Sequence, residues 1–217
     1  MKNDPAVEEI KGIYSSIQDK ILLRLKQFKK MWETGTNEDM FAELVFCILT
    51  PQSRAKSCWT AVEHLRNRGL LTNCDVNGIR KELNIVRFGN KKAEYIVSAR
   101  KKLTINGRMS IKDILSRFDD PYQAREWLVK NIKGIGYKEA SHFLRNIGKG
   151  EELAILDRHI FKNLELLGVI GEVPQNLSNK RYIEIEKGMQ EFANRIKIPM
   201  SHLDFVLWSR ETGELFK

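Results

Sequence analysis

Apolar residues recur along most of the chain at intervals of three and four, the spacing of one face of an α-helix. Ile10, Ile13, Ile17, Ile21, Leu25, Phe28 and Trp32 form the first stripe, with Lys and Glu between them, and predict one long amphipathic helix. Thr36 and Asn37 are capping types followed by the acids Glu38 and Asp39, so a second helix starts there. Its run to Leu49 is apolar on most sides, which suits a central helix, and Pro51 closes it. Ala55, Cys58, Trp59, Val62 and Leu65 make a third stripe, stopped by Gly69. Shorter helices are expected near 78–84, 90–105 and 110–118, and further ones near 158–167, 179–195 and 200–210. The stretches 148–150 and 171–176 read as loops. Strand alternation is nowhere sustained, so the predicted fold is all-α.

Between these segments lies a more specific pattern. Asp120-Pro121 opens a helix with Pro at its first position. Its stripe, Trp127, Leu128 and Ile132, runs into Gly134-Ile135-Gly136, and Ala140, Phe143, Leu144 and Ile147 resume beyond it. Only Gly takes a positive φ cheaply, so Gly134 and Gly136 are expected to allow a turn too sharp for residues with a Cβ. Such a turn presents backbone N–H groups beside a helix N-terminus, where a phosphate binds whatever the base. Lys138 falls in the first turn of the second helix. Asp157 follows nineteen positions later, in Ile155-Leu156-Asp157-Arg158-His159-Ile160. It precedes Ile160, Leu164 and Leu167 and is therefore also a plausible N-cap.

Composition narrows the partner. Lys and Arg outnumber Asp and Glu by 37 to 28, giving +9, a balance that favours nucleic acid or another polyanion. Cys47, Cys58 and Cys74 cannot all pair, and the first two sit among apolar residues, as free thiols of a reducing compartment do. No apolar segment follows Met1, and Phe41 to Leu49 is too short to span a bilayer. The expectation is a cytoplasmic, nucleoid-associated protein with no membrane partner. His142 and His159 have no Cys/His spacing around them, so neither is read as a metal ligand.

Hairpin, Lys and Asp in this order and spacing resemble the helix-hairpin-helix DNA glycosylases, the superfamily of endonuclease III. The resemblance implies two helical domains flanking a cleft. A central barrel would span 36–148 and end in the hairpin at about 121–147, with 1–35 and 149–217 combining into the second domain. Lys138 and Asp157 would face each other across the cleft. No Cys follows position 74, so the four-Cys loop that holds an iron–sulfur cluster in endonuclease III has no counterpart and no cofactor is expected. In this superfamily the hairpin carbonyls often hold a monovalent cation, and the resemblance extends that possibility here.

Breaking a sugar–base bond gives the sugar oxocarbenium character, which a carboxylate steadies. An unprotonated amine can attack the same carbon and form a Schiff base. The positive end of a helix dipole and a partly dry cleft both favour the unprotonated form. On this reading Lys138 is the nucleophile, and Asp157 deprotonates or positions it. An imine at that carbon acidifies the neighbouring sugar position, so β-elimination follows. The enzyme would be a glycosylase and an AP lyase.

Thr50-Pro51-Gln52-Ser53 resembles the loop that supplies a gap-filling Gln in endonuclease III, which makes Gln52 the candidate. Val86-Arg87-Phe88-Gly89 puts a base-pairing and a stacking side chain together, suited to an orphaned partner base; equally, Phe88 is core. Gly134, Ile135 and Gly136 are the expected phosphate contacts. The short chain, the missing cluster and the ending Trp208 to Lys217 resemble the type 2 8-oxoguanine DNA glycosylases/AP lyases of archaea and some bacteria. That resemblance implies Lys217 and Trp208 in base recognition, acting as a monomer on double-stranded DNA with a damaged base. A related glycosylase for other damaged or mispaired bases, and a non-catalytic module that grips phosphates, both stay open on the residues alone.

Overall fold

Helix α1 (Pro5–Thr34) begins the structure, a computed structural model that describes residues 4–215. It is amphipathic as the stripe implies, but buries only Ile10, Ile21 and Phe28 deeply, and leaves Leu22 and Leu23 exposed. The chain divides into two units inside this helix. One holds the chain up to Phe28 and from Gly150 onward; the other is Lys29–Lys149. The last turns of α1 belong to the second unit because Trp32 receives the ammonium groups of Lys112 and Lys149 on its ring, and Lys112 also donates to the Glu33 carbonyl.

In the Lys29–Lys149 unit, α2 (Asn37–Leu49) is the central element. Every residue from Met40 to Leu49 is buried, so the helix is wrapped on all sides. Its start is fixed by a reciprocal cap: the Thr36 hydroxyl accepts from the Asp39 N–H, and the Asp39 carboxylate accepts from the Thr36 N–H. Around it pack α3 (Ala55–Asn67), α6 (Gly89–Leu103), α7 (Ile111–Leu115) and α9 (Tyr137–Asn146), and α9 pairs with α8 (Pro121–Asn131) to form the hairpin. Each fully buried Leu, Ile or Phe in this layer contributes about 1.5–3 kcal/mol. Glu43, the one acid buried in α2, accepts from the Asn146 side chain of α9 at 3.0 Å.

Helix α5 (Val76–Glu82) is the short helix expected near 78–84, and two pieces go beyond the apolar pattern. Helix α4 (Leu70–Asn73) is a single turn, and a two-residue antiparallel pair joins β1 (Thr104–Ile105) to β2 (Arg108–Met109). The pair is too short for alternation to reveal it. It arises because Asn106 and Gly107 both adopt positive φ, the geometry of a tight hairpin.

The other unit packs α10 (Arg158–Leu166) and α11 (Asn179–Ile196) on α12 (Met200–Thr212), with the first part of α1 alongside. Phe28 stacks on Phe205, Tyr14 bonds His202, and the Arg210 guanidinium grips the Glu9 carboxylate through two nitrogens at 3.1 and 2.9 Å. No helix among the described residues is long and apolar enough to cross a membrane.

Candidate active site

The hairpin turn depends on Gly134 in one specific way. Its φ is +88°, and a Cβ there would lie 2.2 Å from the Tyr95 ring. Gly136 is different from what the spacing suggests. At φ −108° and ψ −165° it is extended backbone that any residue adopts, and it serves as the N-cap position of α9. Glu139 closes the cap by accepting from the Gly136 N–H at 3.0 Å. Behind the turn, the fully buried Arg125 guanidinium lies between the rings of Tyr122 and Tyr137, 5.4 and 4.8 Å from their centres, and donates to the Ser141 hydroxyl. Tyr137 donates in turn to Glu126. These contacts set the angle at which α9 leaves the hairpin. None of them was visible in the spacing of the glycines.

Lys138 is the second residue of α9, with its side chain 23% exposed. Its amine lies 3.3 Å from Glu139 Oε1 and 3.4 Å from Thr50 Oγ1. Thr50 caps the C-terminus of α2, so the amine rests against the first residue of the loop that carries Gln52. Gln52 itself is exposed and held at φ +56°, a strained conformation for a residue with a side chain.

Two further candidates converge on the same loop. Arg87 and Phe88 are both exposed, Phe88 at 61%, so Phe88 is not core. Phe88 also has positive φ, at +58°. The Arg87 N–H donates to the Ser53 hydroxyl at 3.0 Å, which ties the two loops together. Ser53 in turn receives the Lys92 ammonium at 3.0 Å, and Lys92 also donates to the carbonyls of Leu49 and Pro51 at 2.7 and 2.8 Å. Lys92 is buried, at 4% exposure. Burial, followed by the positive charge of Lys138, pulls its pKa down; Cys58 opposes the shift. The Cys58 thiol is pushed up to about 11 by burial, so it stays protonated and donates to the Leu49 carbonyl.

Asp157 lies in the other unit, in front of α10. Leu153 to Leu156 are all buried in an extended segment hung on α11: Tyr182 donates its hydroxyl to the Ala154 carbonyl at 2.7 Å, and the Ala154 N–H donates to Glu186 at 2.7 Å. The segment delivers Asp157 as the N-cap of α10. Its Oδ1 accepts from the N–H groups of His159 and Ile160 at 2.8 and 2.9 Å, while Oδ2 carries no hydrogen bond from the described residues. A half-buried carboxylate with one oxygen committed and one open suits a group that caps and reacts at once.

Trp208 is half-buried on α12 and meets the His159 ring edge-on, with centres 6.3 Å apart. The packing of α10 on α12 runs through Asn163, which donates to the His159 and Leu207 carbonyls and to Glu211, and accepts from Arg210. Lys217 lies outside the described residues. The candidates thus fall into two groups: Lys138, Gln52, Arg87, Phe88 and the hairpin in one unit, Asp157 and Trp208 in the other.

Comparison with known proteins follows the same lines. The family model described as 8-oxoguanine DNA glycosylase matches residues 21–198. The 8-oxoguanine DNA glycosylase/AP lyase of Fusobacterium nucleatum is 47% identical over 217 residues, 100% of both chains. The crystal structure of the Methanocaldococcus jannaschii 8-oxoguanine glycosylase/lyase in complex with a 15mer DNA containing 8-oxoguanine superposes with a TM-score of 0.88 at 37% identity, covering 97% of this chain and 99% of that one. That of the 8-oxoguanine DNA glycosylase of Thermotoga maritima gives 0.86 at 36% identity, covering 97% and 98%.

Proposed function

The chain belongs to the 8-oxoguanine DNA glycosylase/AP lyase family and is a bifunctional base-excision-repair enzyme acting on 8-oxoguanine in DNA; we propose that Lys138 and Asp157 carry its chemistry. The Lys138 amine attacks the anomeric carbon of the damaged nucleotide as the bond to the base breaks, and the base leaves with a proton. Asp157, through its open oxygen, steadies the positive charge that develops on the sugar. Glu139, already beside the amine, is the first acceptor for the proton that Lys138 must lose. The sugar ring then opens, the C1′–O4′ bond breaking and the ring oxygen taking a proton, to give the Schiff base. Loss of a proton from the neighbouring sugar carbon expels the 3′ phosphate, and hydrolysis of the imine frees Lys138. Every step runs on amine and carboxylate chemistry, so the scheme calls for no resident cofactor.

Recognition divides along the same groups. The hairpin N–H groups hold a phosphate, Gln52 enters the gap left by the flipped nucleotide, and Arg87 with Phe88 meets the orphaned base. Trp208 walls the base pocket. Lys217 takes part in recognising the base, where an acceptor set against the N–H that 8-oxoguanine has and guanine lacks is worth roughly 1–3 kcal/mol.

The observation that carries the assignment is the placement of Lys138: a partly screened amine in the first turn of the hairpin's second helix, in contact with the loop that bears Gln52. Borohydride trapping on a duplex with one 8-oxoguanine opposite cytosine tests it. Wild type should form a covalent adduct and Lys138→Gln none. Base release without an adduct would remove Lys138 from the nucleophile's role. Binding with neither release nor adduct, on a lesion or an abasic duplex, would leave only a phosphate-gripping module.

A further inference from the structure

Lys92 is a cation buried where an apolar helix face should be. It lies four residues before Ile96 and seven before Ala99, both fully buried, so its position belongs to the face of α6 that packs on the core. Burying a charge is costly unless it is paired or fully hydrogen-bonded. Here the ammonium has three donors and uses three acceptors: the Leu49 and Pro51 carbonyls and the Ser53 hydroxyl. Three donors meeting three acceptors satisfy the group without a carboxylate. The acceptors all belong to the end of α2 and the loop that follows it.

That loop needs a restraint. Gln52 and Phe88 both have positive φ, a strained conformation that persists only where the surroundings impose it. Ser53 joins the two strained segments, since its hydroxyl oxygen accepts from Lys92 and from the Arg87 N–H at once. The outer residues are exposed, Lys92 beneath them is buried and Ser53 is half-buried, the arrangement of a support under two projecting side chains.

We propose that the Lys92–Ser53 node is the positioning element of lesion recognition, holding the Gln52 loop and the Arg87–Phe88 loop in one register so that both enter the duplex together. The proposal rests on the glycosylase reading given above. Lys92 touches no substrate on this view; it acts through Gln52, Arg87 and Phe88. It therefore governs extrusion of the nucleotide and the stabilised gap, more than the attack by Lys138 on a sugar that has already lost its base.

The test uses Lys92→Met, which keeps the apolar stem and deletes the donors, and Ser53→Ala, which deletes the shared hydroxyl with little change in volume. Extrusion is read by the fluorescence of 2-aminopurine placed beside 8-oxoguanine, in a stopped-flow instrument. The chemical step is read by borohydride trapping on a preformed abasic duplex. Lys92→Met should slow the fluorescence change and single-turnover excision at least tenfold, about 1.4 kcal/mol, and lower trapping less than threefold. Ser53→Ala should do the same more weakly, and it stands alone if Lys92→Met does not fold. Unchanged extrusion in folded variants, or equal losses on the two duplexes, overturns the proposal. Wild type that neither extrudes nor excises 8-oxoguanine would overturn the glycosylase reading, a separate failure seen before any variant is made.

Discussion

Two glycines two residues apart, Gly134 and Gly136, should respond oppositely to alanine. At Gly134 the added Cβ meets the Tyr95 ring at 2.2, 2.7 and 2.8 Å, all inside the closest approach that real carbons show, and φ is +88°. The backbone strain costs about 1–2 kcal/mol and the overlap about 1–3 kcal/mol as the ring shifts. The sum, about 2–5 kcal/mol, should lower the unfolding temperature by roughly 5–15 °C. At Gly136 the nearest atom to a Cβ is Glu139 Oε2 at 3.4 Å, and the backbone is extended, so Gly136→Ala should hold the unfolding temperature within about 2 °C.

DNA binding should invert the order of damage once stability is corrected for. On the proposed reading the hairpin backbone approaches a phosphate at Gly136, and a methyl there blocks that approach. Gly136→Ala should weaken binding to an abasic duplex and reduce the salt slope by about 0.9, one phosphate contact. Calorimetric unfolding and salt-dependent binding check the two halves. Adding Tyr95→Ala to Gly134→Ala should recover part of the lost stability, because the ring is the obstacle. Equal destabilisation at both glycines, or no relief from removing the ring, would refute the steric argument.

Other consequences are quick to check. Asp157→Asn should retain the α10 cap, since Asn caps as well as Asp, whereas Asp157→Ala should cost about 1 kcal/mol of stability; both should lose at least about 100-fold in excision rate, measured under single turnover. Asn163→Ala should destabilise by about 2–3 kcal/mol in denaturant titration, because it strips a hydrogen bond from Arg210 and bonds to carbonyls on two helices. His202 titrates below its ordinary 6.5, driven down by burial against the pull of Glu151, while it shares a 2.9 Å hydrogen bond with Tyr14. Between that lowered value and 6.5 only the unfolded chain holds the extra proton, so the contribution is full above pH 6.5 and lost as pH falls through the folded value. Thermal unfolding of His202→Asn across this range should show a flatter pH dependence than wild type.

Much of the fold was legible because most of it is amphipathic helix. The stripes of α1, α2 and α3, the Thr36 cap and the Asp120-Pro121 start all have local causes, and each appears where the pattern places it. The approach to Asp157 was not legible in this way. Its extended segment is held by Tyr182 and Glu186, more than twenty-five residues away in the chain, and no local pattern announces such a bond. The glycines show the opposite error. A Gly-x-Gly motif invites one explanation for both residues, yet the backbone needs positive φ only at Gly134.

The missed supports share one signature that the sequence does contain. Lys92 interrupts the stripe that continues through Ile96 and Ala99, and Arg125 stands three and seven residues before Leu128 and Ile132 on the buried face of α8. A reading by hydrophobic period treats such a cation as the edge of the stripe. The physical chemistry argues otherwise, because a buried cation is costly unless hydrogen bonds or aromatic faces receive its charge. Arg125 finds two aromatic faces and a hydroxyl, and Lys92 finds a helix-end carbonyl, a loop carbonyl and another hydroxyl. Those partners flank the hairpin, where Gly134 takes a positive φ, and the loop in which Gln52 does. A cation inside an apolar stripe is therefore better read as a brace whose acceptors lie at an irregular stretch of backbone, and here both braces point to the surfaces assigned to DNA.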